Sequence, residues 1–399
     1  MKKRILSFLC ALALAAALLP APRAKAAGRV VNVYNWGQYI SDGTDGYLDI
    51  NAAFEEATGI HVNYMTFDTN ESLYTKLKTG GSSYDVIVPS DYMVARLIDE
   101  GLLLPLNFDN IPNYQYIDEA YRHTDYDPDD LYSVPYTWGT MGVIYNSAYV
   151  DEEDVGGWDL LWNEKYAGKI LQFDNPRDAF GVAQSLLGYS LNTHSEEELR
   201  AVTYKLMEQK PLVQSYVMDQ IYDKMERGEA WIAPYYAGDY LMMAEENEDL
   251  RYYFPKEGFN RFIDALCIPT CCSDKEAAEM YINFLCDPEV CAENMEYLGY
   301  SVPESAAKEY MDPESVANEV AYPDEETLAR GEYYLYLDTE TTQLMDSLWL
   351  EVKTEGGVDY GPIVGISLTA LLVGGFLTAR GVRDRRRKAN RCRKWRQAS

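Results

Sequence analysis

Apolar and polar positions alternate in two rhythms along this chain. Val30-Val31-Asn32-Val33-Tyr34 is a β-branched run, His61 to Thr66 alternates with period two, and 84–88 is an apolar run ending at Pro89. Helical spacing fills the intervals: 47–58, with Asp45 as cap and Gly59 as stop, then 72–78, then 92–100 before Gly101. This βαβαβα order predicts a parallel sheet covered on both faces. The rhythm resumes with strands at 169–173, 230–233 and 262–268 and helices at 179–187, 196–209 and 275–286. Two α/β lobes fit that length.

The two ends read differently. Residues 1–26 open with Lys2, Lys3 and Arg4, run apolar from Leu6 to Leu19 and finish in Ala24-Lys25-Ala26, the pattern of an export signal peptide. Residues 362–379 form an uncharged stretch of 18, followed by a basic tail over 380–399. That combination predicts a single C-terminal transmembrane helix with its tail in the cytoplasm, tethering an exported body to the outer face of the plasma membrane.

Composition sharpens the chemistry. The formal net charge is −29, and the body is more acidic still once the basic ends are set aside. Such a charge repels phosphate backbones, so no nucleic acid is expected as a partner, and it draws in small cations. Cys267, Cys271, Cys272, Cys286 and Cys291 are an odd set that matches no disulfide framework or zinc spacing. His61, His123 and His194 lie in no metal or triad motif, and Asp125, Asp127 and Asp129 lack the Gly and Glu of a calcium loop. No Gly-x-x-x-x-Gly-Lys occurs, so ATP would be used by a separate subunit. No cofactor is implied.

Ligands of open α/β sheets sit beyond the carboxyl ends of strands. Trp36, Tyr39, Ser90, Tyr92, Asn175, Asp178, Tyr235 and Tyr236 all follow predicted strands. They are rings, short polar groups and a carboxylate, with no base among them. Aromatic faces attract cations and cover methylene chains, and carboxylates pair with ammonium groups, so the collection suits an elongated organic amine.

Several colinear motifs extend this reading: Tyr34-Asn35-Trp36-Gly37-Gln38-Tyr39, Asn70-Glu71-Ser72-Leu73-Tyr74, Tyr84 to Tyr92, Val134-Pro135-Tyr136-Thr137-Trp138-Gly139 and Gly299-Tyr300-Ser301-Val302-Pro303. In these segments the chain resembles the spermidine/putrescine-binding proteins of ABC transporters. The resemblance implies a two-lobed, type II periplasmic-binding-protein-like fold with its ligand cleft between the lobes. It implies a first lobe from 29–139 and 262–310, a second from 140–261 and 311–355, and crossing strands near 140 and 262. It further implies a polyamine ligand (spermidine or putrescine), ABC permease and ATPase subunits as partners, and no enzymatic activity. Trp36, Tyr39, Ser90, Tyr92, Asp178, Asp264 and Tyr300 fall on family pocket positions, with Asp264 on an internal amine and Asp178 on a terminal one. Asn175 stands where family members carry an acid, Tyr236 and Phe262 where Trp is common, and Tyr334 where an amide is common. Asp219 is placed to compensate for the lost charge. Two other chemistries compete: ferric iron held by the pairs Tyr235-Tyr236, Tyr252-Tyr253 and Tyr333-Tyr334, and glycoside hydrolysis by paired carboxylates.

Overall fold

One strand belongs to two sheets, and the chain is organised around it. The computed structural model describes residues 28–81 and 83–354. The chain opens with β1 (Val30–Trp36), α1 (Ile50–Thr58), β2 (His61–Phe67), α2 (Asn70–Thr79), β3 (Val86–Ile87) and α3 (Asp91–Asp99). β1 lies between β2 and β3, parallel to both. α1 begins at Ile50 because Asp49, rather than Asp45, supplies the cap: its carboxylate accepts the Ala52 N–H at 2.9 Å. Thr69 and Ser72 close a reciprocal capping box on α2.

β4 (Ser133–Asn146) follows, buried at every position. The second lobe adds β5 (Ile170–Phe173), α4 (Pro176–Leu187), α5 (Glu196–Gln209), β6 (Val213–Val217), α6 (Ile221–Glu226), β7 (Ile232–Tyr236), α7 (Ala237–Glu246) and β8 (Leu250–Tyr253). β9 (Phe259–Cys267) then returns to the first sheet, followed by α8 (Lys275–Leu285) and α9 (Pro288–Leu298). The strand order is β2-β1-β3-β9-β4-β7-β5-β6.

From Ser133 to Thr140, β4 pairs antiparallel with β9; from Met141 onward it pairs with β7 and β8 instead. The change of sheet therefore falls between Thr140 and Met141. Gly139 sits beside that point with the Phe262 ring against it, and a Cβ there would lie 2.6 Å from Phe262 Cζ. Antiparallel β4 and β9 make the first sheet mixed rather than purely parallel. After β9 the chain serves both lobes: Met311 belongs to the first-lobe core and Val316 and Tyr322 pack against it, whereas Glu332 accepts from Ser190 and Leu191, Tyr334 Oη donates to the Arg177 carbonyl, and Trp349 meets Tyr216 edge to face.

The expected transmembrane helix is corrected. No helix among the described residues is long and apolar enough to cross a membrane. The helix Thr339–Thr354 carries Glu340, Asp346, Glu351 and Lys353, charges that a bilayer core disfavours. The stretch 362–379 and the signal segment 1–26 lie outside the described residues. Among the described residues the fold is a two-lobed α/β architecture with no membrane-crossing helix. The compact unit that carries both sheets ends at Trp349, and the described residues beyond it, 350–354, are helical.

Glu304 is an exception within the first-lobe core. It is fully buried, and neither carboxyl oxygen has a hydrogen-bond partner among the described residues. Burial pushes its carboxyl up to about 8 from 4.5. The folded chain therefore holds a proton that the unfolded chain has released between those values, so stability falls as pH rises through this window. Replacing Glu304 by Gln should flatten that dependence. Denaturant midpoints measured from pH 5 to 8 are expected to drop more steeply for the parent, by up to about 1.4 kcal/mol per pH unit.

Candidate functional site

The strands deliver their carboxyl ends to one cleft, and the helices that follow them supply its acids. α2, α4 and α7 each begin beside the cleft and carry an acid in the first turn: Glu71, Asp178 and Asp239. Acids favour this position because the helix N-terminus is electropositive. Asp264 arrives differently, from within β9, opposite the place where β4 slips register between Pro135 and Thr137. Such a bulge re-aims neighbouring side chains. Asp219, between β6 and α6, lies against Gly37 so closely that a Cβ on Gly37 would sit 2.3 Å from Asp219 Oδ2. The cleft encloses about 690 Å³, counting its open mouth.

All thirteen side chains singled out from the sequence for an amine site, Tyr235 and Asp219 included, line this cleft. Trp36 is fixed by its indole N–H on the Val88 carbonyl at 2.8 Å. Ser90, at the start of α3, is held by Asn70, whose amide donates to its Oγ at 3.1 Å. Tyr39 Oη donates to Asp264 Oδ2 at 2.6 Å, and Tyr300 Oη donates to Asp239. Tyr92 Oη donates to Glu71 at 3.0 Å. Asn175 caps α4, accepting the Asp178 N–H at 2.9 Å, and its amide donates to Asp178 Oδ2 at 2.7 Å. Tyr236 Oη donates to that same oxygen. Asn175 thus orients a carboxylate instead of adding one. Tyr236 and Phe262 meet edge to face at 5.4 Å, Tyr39 and Tyr300 at 5.1 Å, and Tyr92 and Tyr334 at 5.9 Å.

Among the described residues, five carboxylates line the cleft (Glu71, Asp178, Asp219, Asp239 and Asp264), and no Lys, Arg or His does. Burial pushes Asp264 up to about 6, with the charges of Asp178 and Asp239 acting in the same direction and the Tyr39 hydroxyl opposing. Asp239 is likewise raised to about 6 by burial. Burial raises Glu71, Asp178 and Asp219 too. Asp264 Oδ1 is buried and accepts no hydrogen bond from the described residues. A buried, unpartnered anionic oxygen among like charges is costly, and an added cation relieves it.

The tyrosine pairs do not converge. Tyr252 Oη reaches the Thr140 carbonyl at 3.5 Å and Tyr253 Oη the Gly157 carbonyl at 2.8 Å, while Tyr235, Tyr236 and Tyr334 line the cleft. Burial holds the cleft hydroxyls well above the usual phenol range, away from phenolate.

Comparison with known proteins agrees with this geometry. The family model for bacterial extracellular solute-binding proteins matches residues 49–324. The spermidine/putrescine-binding periplasmic protein of Salmonella typhimurium is 33% identical over 301 residues, 75% of this chain and 85% of that protein. The chain belongs to the spermidine/putrescine-binding family of extracellular solute-binding proteins. Two solved structures align with this family member. One, described as a spermidine/putrescine ABC transporter from Listeria monocytogenes, has a TM-score of 0.77 at 36% identity, covering 82% of this chain and 99% of that one. The other, the ABC transporter substrate-binding protein PotD of Streptococcus pneumoniae, has a TM-score of 0.69 at 37% identity, covering 82% and 98%.

Sequence reasoning passed over two acids of this family member's cleft, Glu71 and Asp239. Both carry a usable signal, since each stands in the first helical turn after a strand, as Asp178 does. Replacing Tyr39 by Phe removes the hydrogen bond that opposes protonation of Asp264. A carboxyl carbon NMR titration should then find Asp264 titrating above the parent value of about 6.

Proposed function

We propose that this protein captures a polyamine, spermidine or putrescine, in the cleft between its lobes and delivers it to an ABC permease outside the cytoplasm. The observation that carries this reading is the cleft wall: five carboxylates, a set of aromatic rings and no base. The family adds that its members are solute-binding transport proteins, and the named relatives bind spermidine and putrescine.

In this reading Asp264 Oδ1, which accepts nothing from the described residues, takes an ammonium N–H. Asp178, steadied by Asn175 and Tyr236, takes the amine at one end. An ammonium–carboxylate pair near 4 Å has a Coulomb attraction of about 4 kcal/mol at an effective dielectric of ~20, reduced by desolvation. Tyr236 and Phe262 cover the methylene chain, and each good ring–cation contact adds ~0.5–2 kcal/mol. The lobes close because the ligand touches both, so the shut state binds it better. Trp36, Tyr39 and Tyr92 hold from the first lobe, Asp178, Asp219 and Tyr236 from the second. Transport energy comes from a separate ATPase subunit, as the chain has no phosphate-cradling loop.

Calorimetric titration with putrescine, spermidine, sugars and amino acids tests the assignment. Heat from an amine supports it; heat from a sugar with none from any amine overturns it. Asp264→Asn should weaken amine binding ten-fold or more, a loss of about 1.4 kcal/mol or more. The pH dependence has a definite sign. The bound cation needs ionised carboxylates, and Asp264 and Asp239 in the free protein protonate near 6. Affinity should therefore fall as pH drops from 7 to 5, and binding near pH 6 should release protons, seen as heats that vary with the buffer's ionisation enthalpy.

A further inference from the structure

A second cavity lies behind the aromatic wall of the cleft and shares Glu71 and Tyr92 with it. Its other charged side chains are Arg96, Arg177 and Asp346. Arg177 follows Pro176 at the start of α4 and is 4% exposed. Its guanidinium stands 4.4 Å from the Tyr334 ring centroid and 5.7 Å from that of Tyr92. Nη2 donates to Asn192 Oδ1 at 2.8 Å and to the Leu335 carbonyl at 3.1 Å. Nε and Nη1 are buried without a hydrogen-bond partner, and Arg177 makes no ion pair among the described residues.

Among the described residues, none of the cavity's other charged groups forms an ion pair with Arg177. Arg96 pairs with Glu100 at 3.1 Å. Glu71 accepts the Tyr92 hydroxyl, and burial favours its neutral form. Asp346 is raised by burial, with Arg96 opposing. Asp178 and Asp91 act on Arg177 through space, and its two unused N–H groups still call for an acceptor, which a small monovalent anion supplies. The apolar side chains of Leu337 and Met345 in the same wall favour a weakly hydrated ion over a strongly hydrated, multiply charged one.

We propose that this second cavity binds a small monovalent anion, chloride or formate, on Arg177, and that the anion strengthens cation capture in the cleft. The coupling follows from position. The guanidinium behind Tyr92 and Tyr334 repels any cation on their cleft side, and the anion offsets that repulsion. Linkage makes the effect reciprocal. The anion site stands on Arg177 and its cavity; the coupling rests on the amine reading above.

Two measurements separate these. Without amine, melting temperatures are compared in sodium chloride and sodium gluconate at equal ionic strength. The parent should melt higher in chloride, and Arg177→Gln should erase the difference. Equal melting in both salts overturns the anion site and leaves water as the partner of Arg177. Should the Gln variant fail to fold, chlorine NMR line broadening by the parent, relieved by formate, supports the site, and its absence overturns it. Putrescine titrated in the two salts should bind about five-fold tighter in chloride. Equal amine affinities, alongside a chloride-dependent melt, overturn the coupling. No amine binding in either salt defeats the amine reading and the coupling with it, while the melting comparison still decides the anion site.

Discussion

Mutual repulsion among buried carboxylates is the constraint on which this structure turns. Among the described residues five acids face one cleft, and water is largely excluded from Asp178 and Asp264. Five hydroxyls ease the strain: Tyr39 on Asp264, Tyr236 on Asp178, Tyr300 and Tyr222 on Asp239, Tyr92 on Glu71. These bonds keep the acids oriented but bring no positive charge. The site is therefore built around a deficit that a cationic guest supplies, and the rings between the acids give that guest an apolar path.

The scaffold tolerates the deficit because its acids come from independent elements. Three stand in first turns of different helices, where backbone N–H groups offset part of the charge, and Asp264 stands in a strand shared by neither of the helical sets. The large apolar core of the first lobe and the fully buried β4 hold these elements in place. The stability lost in the cleft is offset by packing elsewhere.

Much of this was legible in the residues. The period-two run from His61 and the helix at Glu196–Gln209 both appear as read, because alternation and amphipathic spacing are local signals. The N-terminus of α1 was misplaced because two aspartates precede it, and only packing selects Asp49. The fourteen-residue course of β4 is not separable from its flanks, since burial on both sides erases alternation, while β6 and β8 are short and half-buried without a clean alternation. In the cleft, residues carried by long motifs, such as Trp36 and Tyr92, were visible, whereas Asp239 sits three residues past Tyr236 in an ordinary-looking helix start. The charge on Arg177 was invisible as a feature, because whether an arginine finds a partner is decided by chain segments far apart, here Asn192 and Leu335.

Phe262 rests on Gly139, one residue before the strand that both sheets share changes allegiance. The ring that walls the cleft is thus also the cushion of the pivot. Torque depends on distance from a fulcrum: a guest seated only at Phe262 has almost no lever arm, whereas one that also reaches Glu71 or Asp219 pulls on the rims. Short and long guests of equal contact energy would accordingly leave the two halves at different angles, and a permease that senses the angle could tell them apart without touching the guest.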